Sequence, residues 1–310
     1  MNDLAHYEDF LLNLVANHYS PETVYNYERD LKTFADFLAE GNISFAQLNK
    51  KAILHYKAYL LSLDRKTAGE KEAGQRLSAR SINRLLSSLR TYLRYLVDMD
   101  LFCPIPPEAV KLTKTDRPHP QVAELDELVR LIEAPSVLEK NPKVALRNRA
   151  TLEVLFATGM RISELLSLNR VQIDATGRIF ITGKGRKQRF VYLTPRAWQH
   201  LQQYLASRED RLPAVFIPYS GRNVTSNKRR LSANYLQEKI KRYRERLGIN
   251  VPTSAHSLRH GFATYLAESG ANPAAIQILL GHESLATTTR YVHASDRYAE
   301  ETHRRFHPLR

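Results

Sequence analysis

Six side chains in the second half of the chain have the types that phosphoryl transfer requires. Five are cationic or hydrogen-bonding groups and one is a phenol; in chain order they are Arg161, Lys184, His256, Arg259, His282 and Tyr291. Guanidinium groups can neutralise the non-bridging oxygens of a phosphodiester while a phenol oxygen attacks the phosphorus, and this chemistry needs no metal. A DNA strand cut in this way would stay attached through a phosphotyrosine bond and could be rejoined without ATP.

The first four of these residues have a suitable local context. Gly159 is expected to end one helix, which places Arg161 in the first turn of the next. Lys184 lies in GKGRKQR, which is typical of a hairpin turn. His256 and Arg259 are three residues apart in HSLRHGFATYL and are therefore neighbours on one helical face. Each feature is common by itself, and only their combination indicates a site.

His282 and Tyr291 are nine residues apart, so one continuous helix would place them on opposite faces. We expect instead that Gly281 and His282 form a turn before a short helix with Ser284 as its N-cap. Both side chains could then be aimed at one ligand. The alternative is an ordinary polar surface segment.

Two other kinds of site fit the sequence less well. GKG lacks the G-x-x-x-x-G-K-[ST] spacing of a phosphate-binding P-loop. His256 and His260 have the i, i+4 spacing of zinc ligands, but no glutamate follows the first histidine as in H-E-x-x-H. We therefore expect neither a metal nor another cofactor.

A helix predicted over residues 78–97 carries arginines on one face. At about 100° per residue these arginines fall within an arc of about 120°, opposite an apolar face. The arginines are Arg80, Arg84, Arg90 and Arg94. The apolar residues are Ile82, Leu85, Leu86, Leu89, Tyr92, Leu93 and Leu96. A solvated charged face is one interpretation; because the helix has no acidic residue before Asp98, we favour a face that binds DNA.

The surrounding elements predict two domains. They also predict a mainly helical protein with a small antiparallel sheet. Residues 1–112 read as a helical domain, in which one helix begins with Ser20 as N-cap and ends at Gly41. A proline-rich basic stretch follows, and we place a linker at 113–121. Residues 122–310 read as a mixed domain. It opens with a helix at LDELVRLIEAP, and its expected strands are 171–174, 178–182 and 189–193.

Charge indicates a polyanionic partner for the second domain. The net charge is +14, and residues 122–310 hold 30 Lys and Arg against 17 Asp and Glu, whereas residues 1–121 hold 16 against 15. A generally basic surface that aids solubility is the plainer interpretation.

The single cysteine, Cys103, excludes an intramolecular disulfide framework. No apolar run has the length of a membrane span and the N-terminus lacks a signal-peptide pattern, so we expect a cytoplasmic protein without a membrane partner.

The ordered series R…K…H-x-x-R…G-H…Y resembles the tyrosine recombinase (phage integrase) family. TGMRISELLSL, GKGRKQRFVYL, HSLRHGFATYLAESGA and LLGHESLATTTRYVH are similar to its Xer-like subgroup. SPETVYNYERDLKTFADFL and SARSINRLLSSLRTYLRYL are similar to the family's core-binding helices, so the resemblance covers nearly the whole chain. It implies an N-terminal SAM-like core-binding domain and a C-terminal catalytic domain that clamp duplex DNA.

The resemblance also implies a role for each candidate. Tyr291 would be the nucleophile that forms a 3′-phosphotyrosine, and Lys184 would protonate the leaving 5′-oxygen. The two arginines, Arg161 and Arg259, would bind the scissile phosphate. The histidines, His256 and His282, would assist by hydrogen bonding and proton transfer, whereas His260 is interpreted as structural.

The expected function is Xer-type resolution of chromosome or plasmid dimers. The expected assembly is a homotetramer, or a heterotetramer with a paralogue, on two double-stranded DNA sites. An integrase of a mobile element would use the same chemistry. A non-cleaving DNA-binding protein and a metal-dependent nuclease are alternatives from other classes.

Overall fold

A computed structural model describes residues 4–62, 76–114, 122–182, 188–225 and 229–281. The chain divides into two compact units, 1–118 and 119–310. The linker predicted at 113–121 lies largely outside the described residues, so the boundaries proposed from the sequence stay predictions. The prediction of a mainly helical chain with a small antiparallel sheet is confirmed.

The first unit is a helical domain. Its α-helices are α1 (Tyr7–Ala16), α2 (Pro21–Glu40), α3 (Lys50–Leu61) and α4 (Ala79–Asp98). Ser20 caps α2, because its side chain accepts a hydrogen bond from the backbone N–H of Thr23 at 3.2 Å, and Gly41 ends that helix. Ser78 caps α4 in the same way through Ser81 at 3.1 Å. The Ser20 cap confirms the predicted start of α2, and α4 begins at Ala79, one residue after the predicted start of its helix at 78.

The apolar face of α4 forms much of the core of this unit. All seven apolar residues predicted for that face are buried. Around them lie aromatic side chains of the other helices: the Phe34 and Tyr56 rings meet edge to face at 4.8 Å, and Phe10 meets Tyr92 at 5.5 Å. Burial of one face orients α4, so its arginine face is directed away from this core.

One arginine of α4 has a structural partner within the unit. The Arg84 guanidinium is 45% exposed and pairs with the carboxylate of Asp30 on α2, which is 2% exposed. Ser88 donates to the same carboxylate at 2.8 Å. A buried carboxylate requires such partners, because desolvation makes an uncompensated charge costly. Arg84 therefore stabilises the fold in addition to any role on the surface.

Arg84→Gln should lower the free energy of unfolding by about 2 kcal/mol, because it removes the charged partner of a buried carboxylate, and the half-exposed position of Arg84 keeps the loss below that of a fully buried pair. Arg94→Gln is the matched control on the same helix. Arg94 is 55% exposed and lies 3.4 Å from the exposed Glu108, so its loss should cost less than about 1 kcal/mol. Urea unfolding measures both, and equal losses for the two variants would contradict the assignment.

The second unit is built around a central helix. Its described α-helices are α5 (Leu125–Leu138), α6 (Pro142–Thr158), α7 (Ile162–Ser167), α8 (Pro195–Ala206), α9 (Ala233–Arg246), α10 (Ala255–Glu268) and α11 (Pro273–Leu280). Every residue of α6 from 147 to 155 is buried, because α5, α8 and α10 pack around it. Its polar side chains are paired: Glu153, for example, accepts from Arg149 at 2.9 Å and from Arg196 at 2.7 Å.

The described sheet is an antiparallel pair, β1 (Arg178–Thr182) and β2 (Gln188–Tyr192). The strand predicted at 171–174 is wrong. Arg170–Gln172 form a 3₁₀ turn, and Ile173 makes a single isolated bridge. Asn169 caps the turn, and Asp174 Oδ1 accepts two backbone N–H groups of the turn that leads into β1, at 2.9 and 3.0 Å. These short-range hydrogen bonds compete with a sheet ladder and prevent a third strand.

Among the described helices, none is both long and apolar enough to cross a membrane.

Candidate active site

Three of the six candidate residues lie within the described chain, and the structure brings them together in the second unit. Arg161, at the junction of α6 and α7, and Arg259 of α10 meet at the C-terminal end of α11, and His256 of α10 lies near both arginines. The other three, Lys184, His282 and Tyr291, lie outside the described residues. Their positions and the predicted turn and helix after Gly281 stay predictions.

Arg161 is placed by the sharp junction between two helices. Gly159 ends α6 with φ 58°, as predicted, and a Cβ at this position would lie 2.3 Å from the Phe262 ring. Arg161 is the N-cap of α7, one residue before the helical turn in which the sequence placed it. Its backbone N–H donates to Glu164 Oε2 at 2.8 Å, and its Nη1 donates to Glu164 Oε1 at 2.9 Å. Gly159 therefore sets the position of the helix junction at which Arg161 lies, and Glu164 holds the Arg161 guanidinium in place.

Arg259 is a buried arginine on α10. It is held by backbone carbonyls, because Nη1 donates to Gly159 O at 2.8 Å and Nη2 donates to Leu280 O at 2.7 Å. Arg259 therefore connects the end of α6, next to Arg161, with the end of α11.

The last carbonyls of α11 each accept a hydrogen bond from a different arginine. Arg189 Nε donates to Leu279 O at 2.8 Å, Arg259 Nη2 to Leu280 O at 2.7 Å, and Arg161 Nη2 to Gly281 O at 3.5 Å. Final carbonyls of a helix lack intrahelical partners, and cations are favourable at this negative end of the helix dipole. Since His282 follows Gly281 directly, the chain leaves this arginine cluster toward two further candidate residues.

Glu164 provides the negative charge within the cluster. Its side chain is 5% exposed and accepts hydrogen bonds from Arg161 and from both terminal nitrogens of Arg189, at 3.1 and 2.8 Å. Burial by itself would raise the pKa of this carboxyl, but the hydrogen bonds and charges of the two arginines outweigh burial and lower it. Glu164 therefore stays ionised and holds both guanidinium groups.

His256 lies beside these cations and forms a pair with His260. Burial lowers the pKa of His256, and the positive charges of Arg259 and Arg161 lower it further. The Nε2 atoms of His256 and His260 are 2.8 Å apart, so one must carry the proton and the other must accept it. His260, which the sequence analysis interprets as structural, therefore contacts a candidate catalytic residue.

Glu164 and Arg189 are the site residues that the sequence interpretation missed. A signal existed for each. Glu164 stands three residues after Arg161, which is the spacing of a side chain that caps the start of a helix. Arg189 alternates in phase with the buried Val191, and a charged residue in the inward position of a strand indicates a buried ion pair.

The arginines of α4 differ in their surroundings. Arg80 is exposed, Arg90 is partly buried, and Arg84 and Arg94 form the two ion pairs described above. Their predicted role in DNA binding stays a prediction. Among the residues that the structure describes, no group of three or more His, Cys, Asp or Glu side chains is arranged to hold a metal ion.

Comparison with known families matches both halves of the chain. The family model described as the phage integrase family matches residues 121–297. The model described as the phage integrase N-terminal SAM-like domain matches residues 7–99.

Curated relatives span nearly the whole chain. A protein of Lacticaseibacillus casei named tyrosine recombinase XerC is 34% identical over 99% of both chains. The XerC of Psychromonas ingrahamii is 31% identical over 97% of this chain and 95% of its own. A protein of Staphylococcus epidermidis named tyrosine recombinase XerD is 30% identical over 93% of each.

Solved structures share the fold. XerH recombinase bound to its difH substrate before cleavage has a TM-score of 0.68 at 23% identity, covering 90% of this chain and 78% of its own. A lambda integrase dimer bound to a COC' core site has a TM-score of 0.69 at 15% identity, covering 92% and 75%. With one family model matched to more than half of the 310 residues and a full-length relative at 34% identity, the chain belongs to the phage integrase family, the tyrosine recombinases.

Proposed function

We propose that this chain cuts and rejoins duplex DNA at specific sites, with Tyr291 as the nucleophile. As a tyrosine recombinase, it is a site-specific DNA recombination enzyme. The observation that carries the proposed site is the meeting of Arg161 and Arg259, 98 residues apart in the sequence, at the helix end that precedes His282 and Tyr291, with His256 close enough for both charges to lower its pKa.

The two arginines suit the scissile phosphate. Arg161 is partly exposed, and the contact of its Nη2 with Gly281 O is long at 3.5 Å, so Nη2 can donate to a phosphate oxygen instead while Nη1 stays on Glu164. Arg259 is buried, and its bonds to Gly159 O and Leu280 O hold its position. Rigid cations at a site that excludes water stabilise a phosphorane-like transition state more than mobile ones do.

The remaining roles complete a balanced reaction. The Tyr291 oxygen attacks the phosphorus, and its proton passes to a histidine; His256 is suited because its lowered pKa favours the neutral form. The 5′-oxygen leaves with a proton from Lys184. In the second step a 5′-hydroxyl attacks the phosphotyrosine and gives its proton to the now neutral Lys184, the protonated histidine returns its proton to the leaving phenol oxygen, and the DNA strand is rejoined.

Xer-type resolution of chromosome or plasmid dimers is the reaction that we propose, because curated relatives at 30–34% identity are named as Xer recombinases. Its partner would be double-stranded DNA in the cytoplasm. Four protomers would hold two DNA sites, either as a homotetramer or together with a paralogue. Solved relatives are complexes of recombinases with DNA sites, which supports a multimeric DNA complex.

Sequencing of covalently trapped DNA tests this function. The purified chain is incubated with fragments of host DNA, denatured with detergent, and the DNA that stays attached is sequenced. We expect one recurrent site with inverted half-sites, and we expect trapping to persist in excess EDTA. DNA that is bound but never attached would favour a non-cleaving protein, cleavage lost in EDTA would favour a metal-dependent nuclease, and sites at the ends of a mobile element would favour an integrase.

The arginine face of α4 can be tested through salt dependence. Arg80→Gln with Arg94→Gln should reduce the slope of log K against log salt by about 1.8, because each lost phosphate contact removes about 0.9. Both side chains are exposed, and Arg84 is kept because it stabilises the fold. Lys143→Gln is the control, since this exposed lysine of the second unit pairs with Glu209 at 3.0 Å. An unchanged slope in the double variant would assign this face to solvent.

A further inference from the structure

Arg189 is a buried arginine that connects three segments of the site. It stands near the start of β2, five residues after Lys184, and its side chain is 8% exposed. Its guanidinium makes a two-pronged contact with Glu164 of α7, at 3.1 and 2.8 Å, while Nε donates to Leu279 O of α11 at 2.8 Å. Paired geometry of this kind fixes the orientation of both groups, which a lysine could not do.

Charge within this cluster gives Arg189 a consequence for Arg161. Glu164 accepts four N–H groups, two from Arg161 and two from Arg189. Two guanidinium groups share one carboxylate, so the trio keeps a net charge of +1. Without Arg189, the carboxylate would be neutralised by Arg161 alone, and Arg161 would present little charge to a phosphate.

The backbone of Gly281 confirms how closely Arg189 approaches the chain before His282. Gly281 has φ 64°, and a Cβ there would lie 2.8 Å from Arg189 Nη1 and 3.1 Å from its Cζ. The guanidinium therefore occupies the space that any other side chain would need. Glycine is required here both by its backbone conformation and by Arg189.

We propose that Arg189 is a positioning residue for strand cleavage, which acts on the scissile phosphate through Glu164 and Arg161. This inference rests on the proposed function. Arg189 itself does not touch DNA in this scheme.

The test compares two substrates that differ in charge. One carries an ordinary scissile phosphodiester in the site recovered by trapping, and the other carries a methylphosphonate, in which a methyl group replaces one non-bridging oxygen and removes the negative charge. A substrate without that charge depends little on cationic neutralisation, so Arg161→Gln serves as the reference variant for lost charge.

Arg189→Gln should bind the site as the unchanged protein does and cleave the phosphodiester roughly 100-fold more slowly, a loss of the size expected for one electrostatic contact at a transition state. On the methylphosphonate, its rate should return to within a few fold of the unchanged protein, as for Arg161→Gln. Arg189→Lys should be intermediate on the phosphodiester, because it keeps the charge without the paired geometry.

Each outcome decides the matter. A loss of equal size on both substrates would show that Arg189 supports only the fold, and full activity of Arg189→Gln on the phosphodiester would overturn the inference directly. Thermal unfolding and DNA binding report whether each variant is folded; if Arg189→Gln is not, the same comparison is made with Arg189→Lys. If the unchanged protein cleaves neither substrate, the proposed function fails, which is a result distinct from the failure of this inference.

Discussion

Tyr291→Phe should abolish the covalent protein–DNA complex while DNA binding stays unchanged. The substitution removes one oxygen, which is the atom proposed to attack phosphorus, and it leaves the ring and the charge as they are. The measurement is the fraction of a nicked DNA site that migrates with the protein after denaturation. We expect that fraction to fall to background for the variant, with the same affinity in a binding assay.

Tyr298→Phe provides a matched control for this experiment. Tyr298 stands seven residues after Tyr291 in the same C-terminal segment, and the chemical change is identical. This control should retain the covalent complex. A Tyr291→Phe protein that still forms the adduct, or a Tyr298→Phe protein that loses it, would show that the nucleophile has been assigned to the wrong residue.

Lys184→Ala should slow cleavage of ordinary DNA by about 10²–10⁴-fold, the usual loss when a general acid is removed. The 5′-alkoxide is a poor leaving group, so a proton must reach it as the bond breaks. Arginines hold their protons too tightly for this role, whereas a lysine ammonium, with a pKa of about 10.4 when unperturbed, is a usable acid. The rate should recover when sulfur replaces the scissile 5′-oxygen, because a thiolate leaves without a proton.

Lys187 lies in the same predicted turn and is the competing candidate. Lys187→Ala should cleave the ordinary substrate at close to the normal rate. If sulfur substitution rescues Lys187→Ala and not Lys184→Ala, the proton donor is Lys187. If sulfur substitution rescues neither variant, the lysine whose removal slows cleavage has a role other than proton donation, such as contact with the DNA backbone.

These two experiments and the Arg189 test address different parts of one reaction. The Tyr291 variant removes the attacking atom, the Lys184 variant removes a proton, and the Arg189 variant weakens the charge that faces the phosphate. The Lys184 and Arg189 variants are each tested on a modified substrate that should restore activity, and the Tyr291 variant is compared with a control substitution at Tyr298. Together they separate attack, departure of the leaving group and charge neutralisation.

Local features of this protein could be predicted from the sequence. Ser20, Gly41 and Gly159 mark helix ends where the structure has them, because caps act through backbone groups within four residues along the chain. The apolar face of α4 was predictable for the same reason, since helical periodicity alone determines which side chains share a face. The strand predicted at 171–174 failed because other local hydrogen bonds competed with pairing: the Asn169 N–H donates to Gln172 Oε1, and Asp174 Oδ1 accepts two backbone N–H groups.

Tertiary structure alone decided which residues surround the candidate catalytic groups. Arg189 meets Glu164 across 25 residues and Leu279 across 90, and Arg84 meets Asp30 across 54. Nothing in a helical or strand period specifies such a pairing, because it depends on how separate elements pack and on which buried charges must then be compensated. The sequence therefore determined the types of residue that can perform the chemistry, and packing determined which arginine holds Glu164 and which ones cap the last carbonyls of α11.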